Sequence, residues 1–261
     1  MSDALPHRLY RSLVIRARRE TVFEFFTDSA QWASWWGAGS TIDAQPGGRV
    51  LIRYPNGVEV AGEMLEVRPP ERIAFSYGYV SGTPMPVGDS RVTIRLDAHP
   101  QGTLLQLTHE FRDAGARDAH IPGWRYQLSM FANLVAAKVV GEVVEPIDRW
   151  FQAWNTTNGD SRERAFATLA ASTVRVEDRF SRFEGLDDLF GHVRAVQQFM
   201  PGLRIERRGA PRRSQWTVLA DWVAVTDSGE VRSTGTNVFT FDGDRRIDSV
   251  IGVWDDTPRP L

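Results

Sequence analysis

Residues 35–48 read WWGAGSTIDAQPGG, and tryptophan meets glycine again at Gly123 and Trp124, where a long apolar stretch begins. Upstream, Leu9, Leu13 and Ile15 alternate with polar neighbours as one face of a strand, and residues 21–28 predict a short helix that Thr21 caps. Downstream, alternating runs at 50–54, 58–67, 72–79, 91–96 and 103–111 are separated by turn-forming groups: Asn56 with Gly57, Pro69 with Pro70, the glycine-rich 82–88, and Gln101 with Gly102. An antiparallel meander is expected. In one of its strands Ile73, Phe75, Tyr77 and Tyr79 share a face, because side chains alternate with period two. The helix expected after Asp118 carries Trp124, Leu128, Phe131 and Val135 at i, i+4, i+7 and i+11, a stripe suited to that aromatic wall. Pro122 suits its first turn, where a missing N–H costs little.

In order and spacing, Trp35-Trp36-Gly37, Pro46-Gly47-Gly48 and Gly123-Trp124 resemble the activator-of-Hsp90-ATPase-homologue type of START-like (SRPBCC) domain. The resemblance spans residues 8–138 and implies a curved sheet gripping one long helix around a hydrophobic cavity. It implies a container for an apolar molecule, with Trp36, Phe75, Tyr77, His109, Trp124 and Leu128 as lining candidates. The family name also invites a co-chaperone reading, which the start of the first strand near Leu9 disfavours.

A chain of 261 residues exceeds the usual single-domain size of about 100–200 residues, so a second domain is expected. Residues 139–145 form the expected linker, with Gly141 interrupting a helix and Pro146 suited to a new first turn. Beyond it Ile147, Trp150, Phe151 and Trp154 repeat at i, i+3, i+4 and i+7 as the aromatic face of a helix. A second helix capped by Asp160 or Ser161, a strand at 173–178 and a third helix at 186–200 follow. Four strands are then expected at 203–208, 215–226, 231–241 and 246–254, the last two joined by an Asp242-Gly243 hairpin turn. Three helices followed by a bent antiparallel sheet, with Val176-Glu177-Asp178 and a helix opened by Gly185, resemble the SnoaL-like and ketosteroid isomerase branch of the NTF2-like cones over residues 146–255. The fold class expected for the whole chain is α+β, a helix-grip START-like domain followed by an NTF2-like cone.

In the strand at 173–178, Val174, Val176 and Asp178 share one face, so the carboxylate is expected to point inward and could serve as a general base. The resemblance places Asp178 at the position of the ketosteroid isomerase base. It places Trp150 and Asn237 where that family has a tyrosine and a protonated aspartate. Both replacements still donate hydrogen bonds, the indole through one N–H and the amide through two, but they are less acidic, which disfavours steroid isomerisation. The structural alternative is a carboxylate satisfied by backbone amides or by Arg179 or Arg182. Trp154 and Phe239 are the remaining cavity candidates in this half.

Two readings therefore compete: binding of a small hydrophobic ligand in one or both cavities, and proton-transfer catalysis of the isomerase, cyclase or hydratase type in the cone, with Asp178 as base. No cofactor is expected. Gly37-Ala38-Gly39 lacks the strand and helix of a dinucleotide loop, and neither a nucleophile elbow nor a P-loop occurs. No metal is expected, because His109 and His120 lack a third ligand aimed at the same point and the chain has 0 cysteines. The adjacent acids Asp187 and Asp188 suit a helix N-terminus and Asp255 and Asp256 do not share a face, so neither is read as a catalytic pair.

With 33 acidic against 31 basic residues the charge nearly cancels, which disfavours a nucleic-acid partner. Arg207, Arg208, Arg212 and Arg213 flank Gly209 and Pro211, expected as a solvated hairpin end. The polar first dozen residues and the absence of an apolar run near ~18 residues make membrane association unexpected and the cytoplasm the default. A single lysine, Lys138, against many arginines suggests a GC-rich bacterial source. Trp216, Val218, Ala220 and Trp222 alternate with Leu219, Val223 and Val225, so both faces of this strand are apolar and a homodimer through the C-terminal sheet is one way to cover the outer one.

Overall fold

A computed structural model describes residues 5–256, which divide into two compact units, Met1–Lys138 and Val139–Leu261. The first unit contains strand β1 (His7–Ile15), helices α1 (Arg19–Glu24) and α2 (Ser29–Trp36), strands β2 (Thr41–Ile42), β3 (Arg49–Arg53), β4 (Glu59–Arg68), β5 (Arg72–Tyr79), β6 (Ser90–His99) and β7 (Gly102–Phe111), and the long helix α3 (Ala114–Val140). Its seven strands form one antiparallel sheet in the order β1-β7-β6-β5-β4-β3-β2. This is the expected helix grip.

The core of the grip is aromatic. Phe131 of α3 lies 5.5 Å from Phe25, 4.9 Å from Phe26 and 5.1 Å from Trp35, ring centre to ring centre. Two differences from the sequence expectation matter. Residues 29–36 form a helix, capped by Asp28, whose side chain accepts from Gln31 N at 2.8 Å. Trp32, Trp35 and Trp36 are its buried stripe at i, i+3 and i+4. Helix α3 begins one turn earlier than Asp118, at Asp113, whose carboxylate accepts from Ala116 N at 2.7 Å. Pro122 therefore lies inside the helix and not in its first turn.

The second unit contains α4 (Val144–Asn155), α5 (Gly159–Leu169), β8 (Ala170–Glu177), β9 (Arg182–Glu184), α6 (Leu186–Phe199), β10 (Arg204–Ser214), β11 (Thr217–Val225), β12 (Val231–Phe241) and β13 (Ile247–Trp254). Its six strands run in the order β10-β11-β12-β13-β8-β9, antiparallel except for the β13–β8 pair. Asn158, and not Asp160 or Ser161, caps α5 by accepting from Ser161 N at 2.9 Å. The arginine cluster is not a hairpin end: Gly209 and Pro211 sit in a register shift between Arg208 and Arg212 within one strand. Such a bulge, with a proline that cannot donate to the ladder, is tolerated because β10 is an edge strand.

Arg162 holds the three helices in place. Its buried guanidinium donates to Thr156 O at 3.1 Å and to Gln197 Oε1, while Gln197 Nε2 donates to Trp154 O at 2.7 Å. Helices α4 and α6 are thereby fixed at the positions from which they face the sheet. Among the described residues no single helix is long and apolar enough to cross a membrane.

Candidate functional site

Strand register brings the polar groups of the second unit together. Val176 of β8 lies beside Val250 of β13 and Glu177 beside Ile251, so Asp178, one residue past the strand, comes level with Gly252. Across β13, Gly252 pairs with Asn237 of β12. A carboxylate and an amide thus flank a residue that has no side chain. A Cβ at position 252 would lie 3.1 Å from Asp178 Cβ, 3.5 Å from Asn237 Oδ1 and 3.8 Å from Trp254 Nε1. Gly235 pairs with both Trp222 and Trp254. A Cβ there would fall 2.6 Å from the Trp222 ring and 2.4 Å from Val253 O, so only glycine lets the two indoles meet edge to face at 4.9 Å.

Helices α4 and α6 close the space above this sheet with Trp150, Phe151, Trp154, His192 and Val196, enclosing a cavity of about 760 Å³. At its edge Phe180 and Phe199 remain 73% and 80% exposed. The lining is mostly apolar, as small-molecule sites are, with few polar groups to fix orientation.

Two of those polar groups lack a partner. The Nε1 atoms of Trp150 and Trp222 are buried, in residues 1% and 4% exposed, and neither donates to an acceptor among the described residues. A buried indole N–H left unpaired costs free energy that an incoming acceptor recovers. Asp178 is anchored on one side: its Oδ1 accepts from Phe180 N at 2.8 Å, Ser181 N at 2.7 Å and Ser181 Oγ at 3.0 Å. Its own N–H donates to Ser181 O at 2.8 Å, so the residue closes the turn from β8 to β9. Oδ2 has no hydrogen bond among the described residues. His192 stands near enough to feel this carboxylate: burial lowers its pKa, and the charge of Asp178 acts in the opposite direction.

Of the candidates read from the sequence, Asp178, Asn237, Trp150 and Trp154 line this cavity. Asp178 is half-exposed and not fully inward, because it lies in the turn beyond the last strand residue. Phe239 does not line the cavity. It is fully buried behind it, with ring centres 5.7 Å from Trp150 and 6.4 Å from Phe151, and braces the aromatic face of α4. Gly235, Gly252, Trp222, His192 and Trp254 escaped the sequence reading. Two glycines one strand apart are the signal they left, and it has meaning only once the register is known.

The first unit has a cavity of about 700 Å³ lined by Trp36, Tyr77 and Trp124, among others. Phe75, His109 and Leu128 do not line it. Phe75 turns into the core and meets Trp32 edge to face at 5.8 Å, and Leu128 is buried in the core on α3. His109 lies behind Trp124, whose Nε1 donates to His109 Nδ1 at 2.9 Å. Because an indole nitrogen only donates, His109 carries its proton on Nε2 and donates it to Ser90 Oγ at 2.9 Å. Ser90 in turn donates to Tyr77 O at 2.8 Å. Burial, with His120 adding to it, holds the His109 pKa well below its ordinary 6.5.

A pH dependence of stability follows. Above pH ~6.5 His109 is neutral in both folded and unfolded chains; below that value only the unfolded chain takes up the proton, so stability falls as pH drops toward the depressed folded pKa. We expect a slope of up to about 1.4 kcal/mol per pH unit from this proton between pH ~6.5 and ~5.5. Urea unfolding at stepped pH checks it, and His109→Gln should flatten the slope.

No three His, Cys, Asp or Glu side chains converge as a metal site among the described residues. In comparison with known proteins, residues 16–136 match the family described as Activator of Hsp90 ATPase homolog 1-like protein. No protein of curated function matches the chain. Similar solved structures include a SnoaL-like family protein from Agrobacterium tumefaciens, 24% identical, covering 42% of this chain and 95% of that one with a TM-score of 0.41. CalU16 from Micromonospora echinospora is 23% identical, covering 49% of this chain and 74% of that one with a TM-score of 0.40. The Aha1 dimer from Colwellia psychrerythraea is 16% identical, covering 47% of this chain and 90% of that one with a TM-score of 0.41.

Proposed function

We propose that the C-terminal cone is a binding chamber for a small, largely apolar molecule that carries a hydrogen-bond acceptor. The observation that carries this reading is the pair of buried indole N–H groups, Trp150 and Trp222, unpartnered among the described residues, in residues that line a mostly apolar cavity of about 760 Å³. Two donors fixed by packing and without partners are pre-organised for an acceptor such as a carbonyl oxygen, and pre-organisation reduces the ordering cost of binding. The structural role of Asp178 also supports binding over catalysis, because one of its oxygens is committed to the β8–β9 turn.

The test is titration of the full chain with prodan, a neutral naphthyl ketone whose fluorescence shifts to the blue in apolar surroundings. Wild-type protein should bind it, and Trp150→Phe, which keeps an aromatic ring but removes the donor with its pyrrole ring, should weaken binding by roughly tenfold or more, at least the value of one hydrogen bond of about 1.4 kcal/mol. Absence of binding, or an unchanged affinity in Trp150→Phe, refutes the reading.

A second reading, proton transfer, is favoured by one arrangement: Asp178, Asn237 and Trp254 surround the open position above Gly252. Asp178 Oδ2 would take a proton from the carbon next to a carbonyl, Asn237 or Trp254 would donate to the enolate oxygen, and the proton would return from the acid or from water. Exchange of the α-hydrogens of 2-tetralone for solvent deuterium, followed by NMR, separates the two readings. A catalyst exchanges them faster than buffer and loses that rate in Asp178→Asn; a binding chamber leaves the exchange at the buffer rate.

A further inference from the structure

We infer that the cavity of the N-terminal unit is a ligand site of its own, built for a neutral ring compound that carries both a hydrogen-bond acceptor and a donor, the chemistry of a phenol. The unit contains four tryptophans, and three of their indole N–H groups are spent inside the fold. Trp32 donates to Leu51 O at 3.1 Å, Trp35 to Phe25 O at 3.2 Å and Trp124 to His109 Nδ1 at 2.9 Å. The fourth, Trp36, is 3% exposed and its Nε1 has no partner among the described residues. It cannot swing to find one, because its ring is held by Trp32 at 5.5 Å, Trp35 at 4.3 Å, Tyr54 at 5.8 Å and Trp124 at 5.6 Å.

An unpaired acceptor lines the same cavity. Gln127 of α3 is 8% exposed and its Oε1 has no partner among the described residues. The Tyr54 and Tyr77 hydroxyls, also in the lining, share one hydrogen bond at 3.1 Å, and Tyr77 is also hydrogen-bonded to Tyr79. Native interiors rarely leave buried polar atoms unmatched, and two of opposite kind in one cavity describe the polar complement of their ligand.

Charge restricts that ligand further. No Asp, Glu, Lys or Arg lines the cavity. His120 is held neutral: its Nδ1 donates to Ala116 O at 2.6 Å, leaving Nε2 to accept from the Tyr79 hydroxyl at 3.3 Å, and burial lowers its pKa. Burial likewise pushes Tyr54 up to about 12, so it stays protonated. A charged ligand would enter a site with no counter-ion, where desolvation is not repaid. The cone differs, since Asp178, Glu177 and Arg232 border its cavity.

The experiment compares three probes of one shape, naphthalene, 2-naphthol and 2-naphthoate, titrated into the full ¹⁵N-labelled chain. The Trp36 indole signal, assigned by its loss in Trp36→Phe, reports the N-terminal cavity. We expect 2-naphthol to shift that signal downfield and to bind roughly tenfold or more tightly than either naphthalene or 2-naphthoate at this site. Gln127→Leu should reduce 2-naphthol affinity by roughly five- to tenfold and leave naphthalene unchanged, whereas Trp150→Phe in the cone should leave the Trp36 response intact. Equal affinities for the three probes, preference for the carboxylate, or a Trp36 signal that does not respond in wild-type protein overturns the inference.

Discussion

Gly252→Val should abolish prodan binding to the cone, by at least about a hundredfold, while the chain stays folded. The first added atom meets Asp178 Cβ at 3.1 Å and Asn237 Oδ1 at 3.5 Å, a fit that small shifts absorb. The two γ-methyl groups then occupy the space that Asp178, Asn237 and Trp254 leave open at the floor of the cavity. Valine is a good strand residue and replaces a poor one, so the local backbone preference offsets part of the crowding. Gly252→Ala serves as the graded control, with an intermediate loss. Circular dichroism and the urea midpoint verify folding. A valine variant that is folded and binds prodan like wild type would mean that the ligand does not reach the row formed by Asp178, Gly252 and Asn237, and the proton-transfer reading would fall with it.

Phe131→Ala should destabilise the N-terminal unit by about 3–5 kcal/mol, the usual cost of emptying a buried phenylalanine site. Phe131 is fully buried and joins α3 to Phe25, Phe26 and Trp35. These partners are large rigid rings, Trp35 in α2 and Phe25 and Phe26 in the turn after α1, tied together by the Trp35 hydrogen bond to Phe25 O, so the cavity collapses little and the cost stays at the upper end. Hydrogen exchange read by mass spectrometry localises the effect: amides of α3 and of β5 to β7 should lose protection, while those of β10 to β13 keep it. Loss of protection throughout the chain would show that the two units unfold as one.

Much of the architecture was legible from residue order. The alternation from Ile73 to Tyr79 and from Leu105 to Phe111 marks strands because a half-buried strand shows period two, and Ile147, Trp150, Phe151 and Trp154 mark a helix because its apolar face repeats every three to four residues. The helix at 29–36 is short and followed at once by Gly37 and Gly39, so only the spacing of Trp32, Trp35 and Trp36 marks it in the sequence. Local pattern also misread the arginine cluster, since a glycine and a proline near each other signal a turn in sequence and a bulge on an edge strand in space.

The sequence by itself determined most of the elements and the two apolar interiors, because periodicity follows from the geometry of helix and strand. It also placed Asp178, Asn237 and Trp150 as polar groups directed toward one of those interiors. Only the tertiary structure decided what these groups meet. Register between β8, β13 and β12 makes Gly252 the gap between a carboxylate and an amide, and the hydrogen-bond inventory separates spent indoles from free ones: Trp124 is paired, and Trp36, Trp150 and Trp222 are not. Whether a buried donor has a partner depends on atoms brought from distant parts of the chain, and no local pattern of residues carries that information.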